Sequence, residues 1–306
     1  MRKTFAVVCI TLLVFASDYS KGQEIDITEQ QCGLLFDGSL ANESVQFQTS
    51  LGPRIPGSNS SLELRNYLKS NLSGWEITES NHQINGMNLT NVFATWNAGK
   101  GNEIFLAAHY DTRHKADQDP LESNRNKPVI GANDGASGIS ILMHLSEIFS
   151  DYPFNNIGVD LLFVDGEDMG RHGDIENFSI GTKLFAKEMK KPYPKLAICL
   201  DMVADKDPEF KIEYFSFIQA EKEVLEIWAL ANSLGFTEFV YEMSQPIYDD
   251  HRALFVETGI PSLDIIDFDY PYWHTLEDTV DKCSAYTLGI VGNLVCEYLY
   301  REESEY

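Results

Sequence analysis

Apolar positions recur at helical spacing from Cys32 to Ser50 and from Ser60 to Leu72. That spacing predicts two amphipathic helices. The segment between them, Leu51-Gly52-Pro53-Arg54-Ile55-Pro56-Gly57-Ser58, reads as a loop, because Pro lacks the amide that a helix interior needs and Gly frees the backbone. Further along, short continuous apolar runs predict strands at Leu89–Trp96, Ile104–His109, Val159–Val164, Leu196–Met202 and Ser262–Ile266. Helical stretches are predicted between and after them, at Ala136–Phe149, Ile180–Met189, Glu221–Leu234, His251–Glu257 and Ala285–Tyr300. Continuous rather than alternating runs belong to strands buried on both faces, and strands alternating with helices form a mostly parallel sheet covered on both sides. The expectation is one α/β domain in three layers, α/β/α.

The first residues follow a different logic. Met1-Arg2-Lys3 precedes an apolar run from Phe5 to Phe15 and then small and polar residues, the pattern of a secretory signal. The run is too short to span a bilayer. Residues 1–22 are therefore expected to be a signal peptide and 23–306 the mature domain, exported to a periplasm or secreted. Cleavage after Gly22 would leave Gln23 first; cleavage after Ala16 is the other site with small residues in place. The 306 residues are 43% hydrophobic, with no shift in composition that would mark a second domain. A formal net charge of −24 argues against nucleic acid or anionic membranes as partners, since both repel an acidic surface. Outside the signal stand Cys32, Cys199, Cys283 and Cys296. Cys199 lies in an apolar run and is expected in the core; Cys283 with Cys296 is the one pair to test for a bridge.

Chemistry collects where the strands end. Ile104–Ala108 runs into His109-Tyr110-Asp111, Val159–Val164 into Asp165-Gly166-Glu167-Asp168, and Leu196–Leu200 into Asp201. Ligands of open α/β sheets bind beyond the carboxyl ends of the strands, so these groups are expected to share one crevice. So many carboxylates held together repel one another unless a cation sits among them. Asp134, in Gly131-Ala132-Asn133-Asp134-Gly135, and His274, in Tyr270-Pro271-Tyr272-Trp273-His274-Thr275, complete an ordered series of His, Asp, Glu-Asp, Asp and His.

This series resembles that of the zinc aminopeptidase and glutaminyl cyclase superfamily, over nearly the whole chain from the loop at 52–58 to Thr275. The resemblance implies a central mixed sheet with helices on both sides. It implies Asp134, Asp168 and His274 as ligands of the metal common to active members, and Glu167 as general base. Two carboxylates and an imidazole suit Zn²⁺ and leave a fourth position open for chemistry. Aminopeptidases of the superfamily bind a second zinc through the counterparts of His109, Asp134 and Asp201; the cyclases keep those residues and work with one zinc per chain.

Two features resemble the cyclases more closely. Asp249-Asp250-His251 stands where peptidases carry Ser-Asp-His, and Trp273 directly precedes the histidine ligand. The implied activity is a glutaminyl-peptide cyclotransferase of the bacterial, animal-like type, closing N-terminal glutamine of peptides and proteins to pyroglutamate with loss of ammonia. The alternative is an exported zinc aminopeptidase. A third reading, a metal-free binding module, conflicts with the survival of every ligand. Glu167 then moves the proton, Asp201 and Asp249 hydrogen-bond around the base and the amine, and Trp273, Tyr270 and Tyr272 wall the pocket. A monomer is expected. Departures from the pattern are Asp168 where many relatives carry Glu, Asp269 in place of a pocket phenylalanine, and no tryptophan after Glu167-Asp168.

Overall fold

The computed structural model describes residues 35–84, 86–100, 102–171 and 175–306. The expected signal peptide, and Cys32 at the start of the first predicted helix, lie outside the described residues. The strands are β1 Glu76–Ile84, β2 Met87–Trp96, β3 Ile104–His109, β4 Val159–Val164, β5 Leu196–Asp201, β6 Phe210–Ile212, β7 Phe239–Met243 and β8 Ser262–Ile266. The helices are α1 Gly38–Ser50, α2 Asn59–Asn71, α3 Ala136–Asp151, α4 Ile180–Glu188, α5 Tyr214–Ser233, α6 Asp250–Thr258 and α7 Ala285–Ser304.

The main sheet has the order β1-β2-β4-β3-β5-β8. β4, β3, β5 and β8 run parallel, while β1 and β2 add an antiparallel edge, so the sheet is mixed and mostly parallel. Every residue of β3 and β4 is buried. Successive side chains point to opposite faces, which splits each central strand between two cores. Ile104, Leu106 and Ala108 belong to the core shared with α1, α3, α5 and α7, whereas Phe105 and Ala107 belong to the one that holds Phe185 of α4 and Leu254 of α6. Burying each such side chain contributes roughly 1.5–3 kcal/mol, and both faces are filled. The helix α3 lies so close to the sheet that a Cβ at Gly138 would stand 2.2 Å from the Leu200 carbonyl oxygen; any larger residue there would push the helix off.

Helix starts have local causes. Asp37 accepts from the Ser39 amide at the head of α1, Ser58 from Ser61 at α2, and Ser284 from Thr287 at α7, each satisfying an amide that has no partner inside its helix. The helix α5 begins seven residues before the predicted Glu221 and carries a kink at Ala220 (φ −147°, ψ 47°), so its helical period is regular only beyond the kink.

One expectation is overturned. Cys283 is a free, buried thiol, and Cys296 is disulfide-bonded to a partner that is not among the described residues. Cys283 precedes α7 while Cys296 lies in its middle. At about 1.5 Å per residue the helix separates them by far more than the Cα spacing of about 4.4–6.8 Å that a disulfide bridges. Cys199 is buried in the core as expected. Among the described residues no helix is long and apolar enough to cross a membrane.

Candidate active site

Because β3, β4 and β5 are parallel, their carboxyl ends lie side by side. His109 ends β3, Asp165–Asp168 follow β4, and Asp201 ends β5. Asp134 comes from the turn before α3, and His274 from the loop after β8. The His274 backbone is in the left-handed region (φ 55°), as is that of Met202 just after Asp201 (φ 46°). Non-glycine residues adopt it only where the surroundings impose it. Gly135 is needed for a different reason: a Cβ there would lie 2.5 Å from His109 Cε1.

Two groups of ligand-type atoms result, sharing Asp134. In the first, His109 Nε2 lies 3.1 Å from both Asp134 Oδ1 and Asp201 Oδ1. In the second, His274 Nε2 lies 3.1 Å from Asp168 Oδ1 and 3.7 Å from Asp134 Oδ2. Within each group the donor atoms lie within 4.8 Å of one another. Asp168 Oδ2 is buried with no hydrogen-bond partner, an arrangement costly for a carboxylate unless a cation takes the lone pairs. Two carboxylates and an imidazole fit Zn²⁺, so the residues present suit the metal.

The same crowding shows in the protonation behaviour. Burial alone would lower His109, but hydrogen bonds to Asp111, Asp134 and Asp201 hold it well above the usual imidazole range. Burial likewise works against His274, and the charge of Asp168 with the contact to Asp117 carries it up to about 9. Burial pushes Asp201 up to about 7, with His109 opposing. Burial and then the charge of Asp249 push Glu167 well above the usual carboxylate range. A divalent cation bound among these groups would compete with their protons.

A surrounding layer holds these groups in place. Asp111 accepts from the amides of Glu167 (3.0 Å) and Asp168 (3.2 Å), and Asp278 accepts from those of Asn133 (2.9 Å) and Asp134 (3.2 Å). Arg113 donates to Asp168 Oδ1 (2.8 Å) and to Asp117 (2.7 and 3.1 Å), while Asp117 Oδ1 stands 3.5 Å from His274 Nδ1. Ser179 donates to Glu167 Oε1 at 3.1 Å. Buried Arg54, from the Pro/Gly loop, donates to the carbonyls of Tyr110, Ile130 and Gly131 and so ties the strand end after His109 to the turn before Asp134. Sequence reading missed Arg113, Asp117, Ser179 and Asp278; the one signal for Arg113 and Asp117 was their charge within a few residues of His109-x-Asp111.

Asp249 caps α6, with Oδ1 accepting from Asp250 N and Oδ2 buried without a hydrogen bond. Asp249, His251 and Asp264 also have donor atoms within 4.8 Å of one another, and His251 Nε2 lies 3.0 Å from Glu213. The Trp273 ring stacks on His274 with centroids 3.7 Å apart and planes at 23°. With Phe268, Ile247 and Tyr248 it walls a cleft of about 320 Å³ that opens onto His274. Tyr270 and Tyr272 belong to the same apolar cluster as Ile247, Phe268 and Trp273 without lining this cleft. Tyr270 is buried and its hydroxyl donates to Asp278 Oδ1 at 2.8 Å, which places it among the supports of Asp134. Tyr272 lines a separate acidic depression beside Lys282.

Known proteins share this fold. The structure superimposes on the glutaminyl cyclase of Porphyromonas gingivalis with a TM-score of 0.84 and 29% identity, over 87% of this chain and 99% of that one. A Zn-dependent exopeptidase from Parabacteroides distasonis gives a TM-score of 0.82 at 29% identity, over 87% and 98% of the two chains. A glutaminyl-peptide cyclotransferase-like protein of Bos taurus is 24% identical over 281 residues, 80% of this chain and 71% of its own. Residues 91–299, which contain every ligand-type residue of the two groups, match peptidase family M28, and the chain belongs to that family.

Proposed function

We propose that the protein is a glutaminyl-peptide cyclotransferase that converts N-terminal glutamine to pyroglutamate with release of ammonia. The observation that carries this reading is Trp273, stacked on His274 and forming an apolar wall of the cleft that opens onto it. A hydrolase must admit and activate water at that place. A cyclase must keep water out so that the substrate's own amine is the nucleophile.

The proposed ligands are Asp134, Asp168 and His274, with one zinc per chain. When bound, the ion acts as a Lewis acid toward the side-chain carbonyl of the substrate glutamine. The remaining steps fall to the chain's own residues. Glu167, whose carboxyl is raised by burial and by Asp249, accepts a proton from the α-amine as its nitrogen bonds to the side-chain carbonyl carbon. It returns a proton to the amide nitrogen as the carbon–nitrogen bond breaks and ammonia leaves. A free α-amine has a pKa of about 8, so a modest base is sufficient. Ser179, donating to Oε1, fixes the carboxyl in position, and Asp201 and Asp249 hydrogen-bond around this base and the substrate's amine.

The alternative is an exported zinc aminopeptidase with a second ion at His109, Asp134 and Asp201. The geometry of that group favours it, since His109 reaches both carboxylates. The deciding experiment incubates the metal-loaded protein with Gln-peptides and Leu-peptides and follows the products by mass spectrometry. Ammonia loss from Gln-peptides supports the cyclase; release of free N-terminal amino acids from both sets supports the peptidase.

A further inference from the structure

Asp249 stands close to Glu167: it lines one cleft with Ser179, whose hydroxyl donates to Glu167, and its charge acts on that carboxyl. The groups that hold Asp249 there are out of reach of any substrate. His251, two residues on in α6, is wholly buried, with Nε2 3.0 Å from Glu213 Oε2 and Nδ1 3.5 Å from Oδ2 of Asp264 in β8. A ring lying between two buried carboxylates fixes the first turn of α6, and with it Asp249, the residue that caps this helix.

Glu213 does more than cap α5. Its Oε2 accepts from the Ser216 amide (2.6 Å) and hydroxyl (2.9 Å) as well as from His251, and its Oε1 accepts from the amides of Phe215 and Ile247, each at 2.8 Å. Burial works to raise this carboxyl, and the bond from His251 leads the contacts that bring it below the usual carboxylate range. Ile247 and Tyr248 wall the cleft at His274. Their loop is held at Ser244 by the Ile212 carbonyl and at Ile247 by Glu213. Capping alone is met by a serine, as at α2 and α7. A carboxylate taken wholly out of water is costly unless its partners offset the loss, so its presence here calls for a role that a serine cannot fill.

We propose that Glu213 and His251 are positioning residues for the reaction. Glu213 Oε1 sets the Ile247–Tyr248 wall against which the substrate lies, and Oε2, through His251, sets Asp249 beside Glu167. The inference rests on the reading of Glu167 as the proton carrier. It holds whether the first residue of the peptide is cyclised or removed.

The test compares zinc-loaded His251→Asn, Glu213→Gln and Val224→Ala on one Gln-peptide, with kcat, KM, metal content and thermal melting read on each. His251→Asn is expected to lose about tenfold or more in kcat with KM changed by no more than about twofold, because it releases Asp249 and leaves the wall in place. Glu213→Gln is expected to lose kcat likewise and to raise KM several-fold, and both variants keep the zinc. Val224→Ala, a core change further along α5, is expected to melt earlier with the kcat and KM of wild type, which separates lost positioning from lost stability. In an Asp249→Asn background, His251→Asn should cost kcat little more, since coupled residues are not additive. A wild-type kcat in His251→Asn, an equal loss in Val224→Ala, or a full further loss on top of Asp249→Asn would overturn the proposal. Failure of both His251→Asn and Glu213→Gln to fold would overturn it too, by assigning the two residues to the fold alone. Near-full activity in Glu167→Gln, with the His251→Asn loss intact, would instead sink the reading of Glu167 and leave the coupling of His251 to Asp249 standing.

Discussion

The two groups of ligand-type atoms that share Asp134 are alike in their inner geometry and unlike in their support. Around Asp168 and His274 stand Arg113, Asp117 and the stacked Trp273, and Asp168 keeps a buried oxygen without a partner. Around Asp201 the side chain is 15% exposed, against 2% for that of Asp168, and its Oδ1 already contacts His109. Partners that orient metal ligands are part of a metal site. By that criterion the Asp168–His274 group has the fuller set of orienting partners, although both groups bring ligand-type atoms within 4.8 Å of one another.

The strongest way to break this contrast is to remove a ligand from the better supported group. His274→Ala and Asp168→Ala are each expected to lose the metal, and turnover by on the order of a thousandfold or more, as read by metal analysis on the purified variants. Glu167→Gln comes next: metal retained and turnover down by about a hundredfold or more. Near-full activity in that variant would remove Glu167 from the mechanism. Asp117→Asn then tests the support itself, with zinc affinity expected to weaken by about 10–100-fold in a chelator competition. His109→Asn should change zinc affinity less than Asp117→Asn does. Two tight zincs in wild type, both needed for activity and one lost in His109→Asn, would reverse the comparison and favour the peptidase.

The smallest expected effect is on pH. His274 is held up to about 9 before metal binds, so near neutral pH the zinc must displace its proton. Affinity therefore rises with pH up to about 9 and falls as pH drops below it, because the proton competes for the same nitrogen. Calorimetry in buffers of different ionisation enthalpy checks the released proton; zinc affinity flat from pH 6 to 9 would contradict it.

How much of this was legible before the structure depends on the reach of the interactions involved. The strands β3, β4 and β8 match their predicted limits because burial on both faces writes itself as a continuous apolar run. The edge strand β1, Glu76–Ile84, was not foreseen, since its residues are partly or fully exposed and its sequence carries no such run. The short pair β6 and β7 was missed as well; only the ends of β6 and the first residue of β7 are buried. Most of the expected ligand residues, which the structure brings into two groups, stand at a readable strand end or glycine turn. Their supports do not: Arg113 reaches Asp168 across 55 residues, and Asp278 reaches Asn133 across 145. No local pattern encodes such a pairing. The bond from the Tyr270 hydroxyl to Asp278 is likewise not written in its closeness to His274 in sequence.

The grip of Asp111 and Asp278 on two pairs of successive amides has a consequence for measurement. The amides of Asn133, Asp134, Glu167 and Asp168 are bonded to side chains rather than to a strand or helix ladder. Their hydrogen exchange therefore reports opening of this crevice and not the unravelling of the sheet, whose strand amides exchange only through larger openings. Four backbone positions in two loops thus form a built-in gauge: deuterium uptake there, read against uptake in β3 and β4, separates a variant with a loosened site from one with a loosened fold.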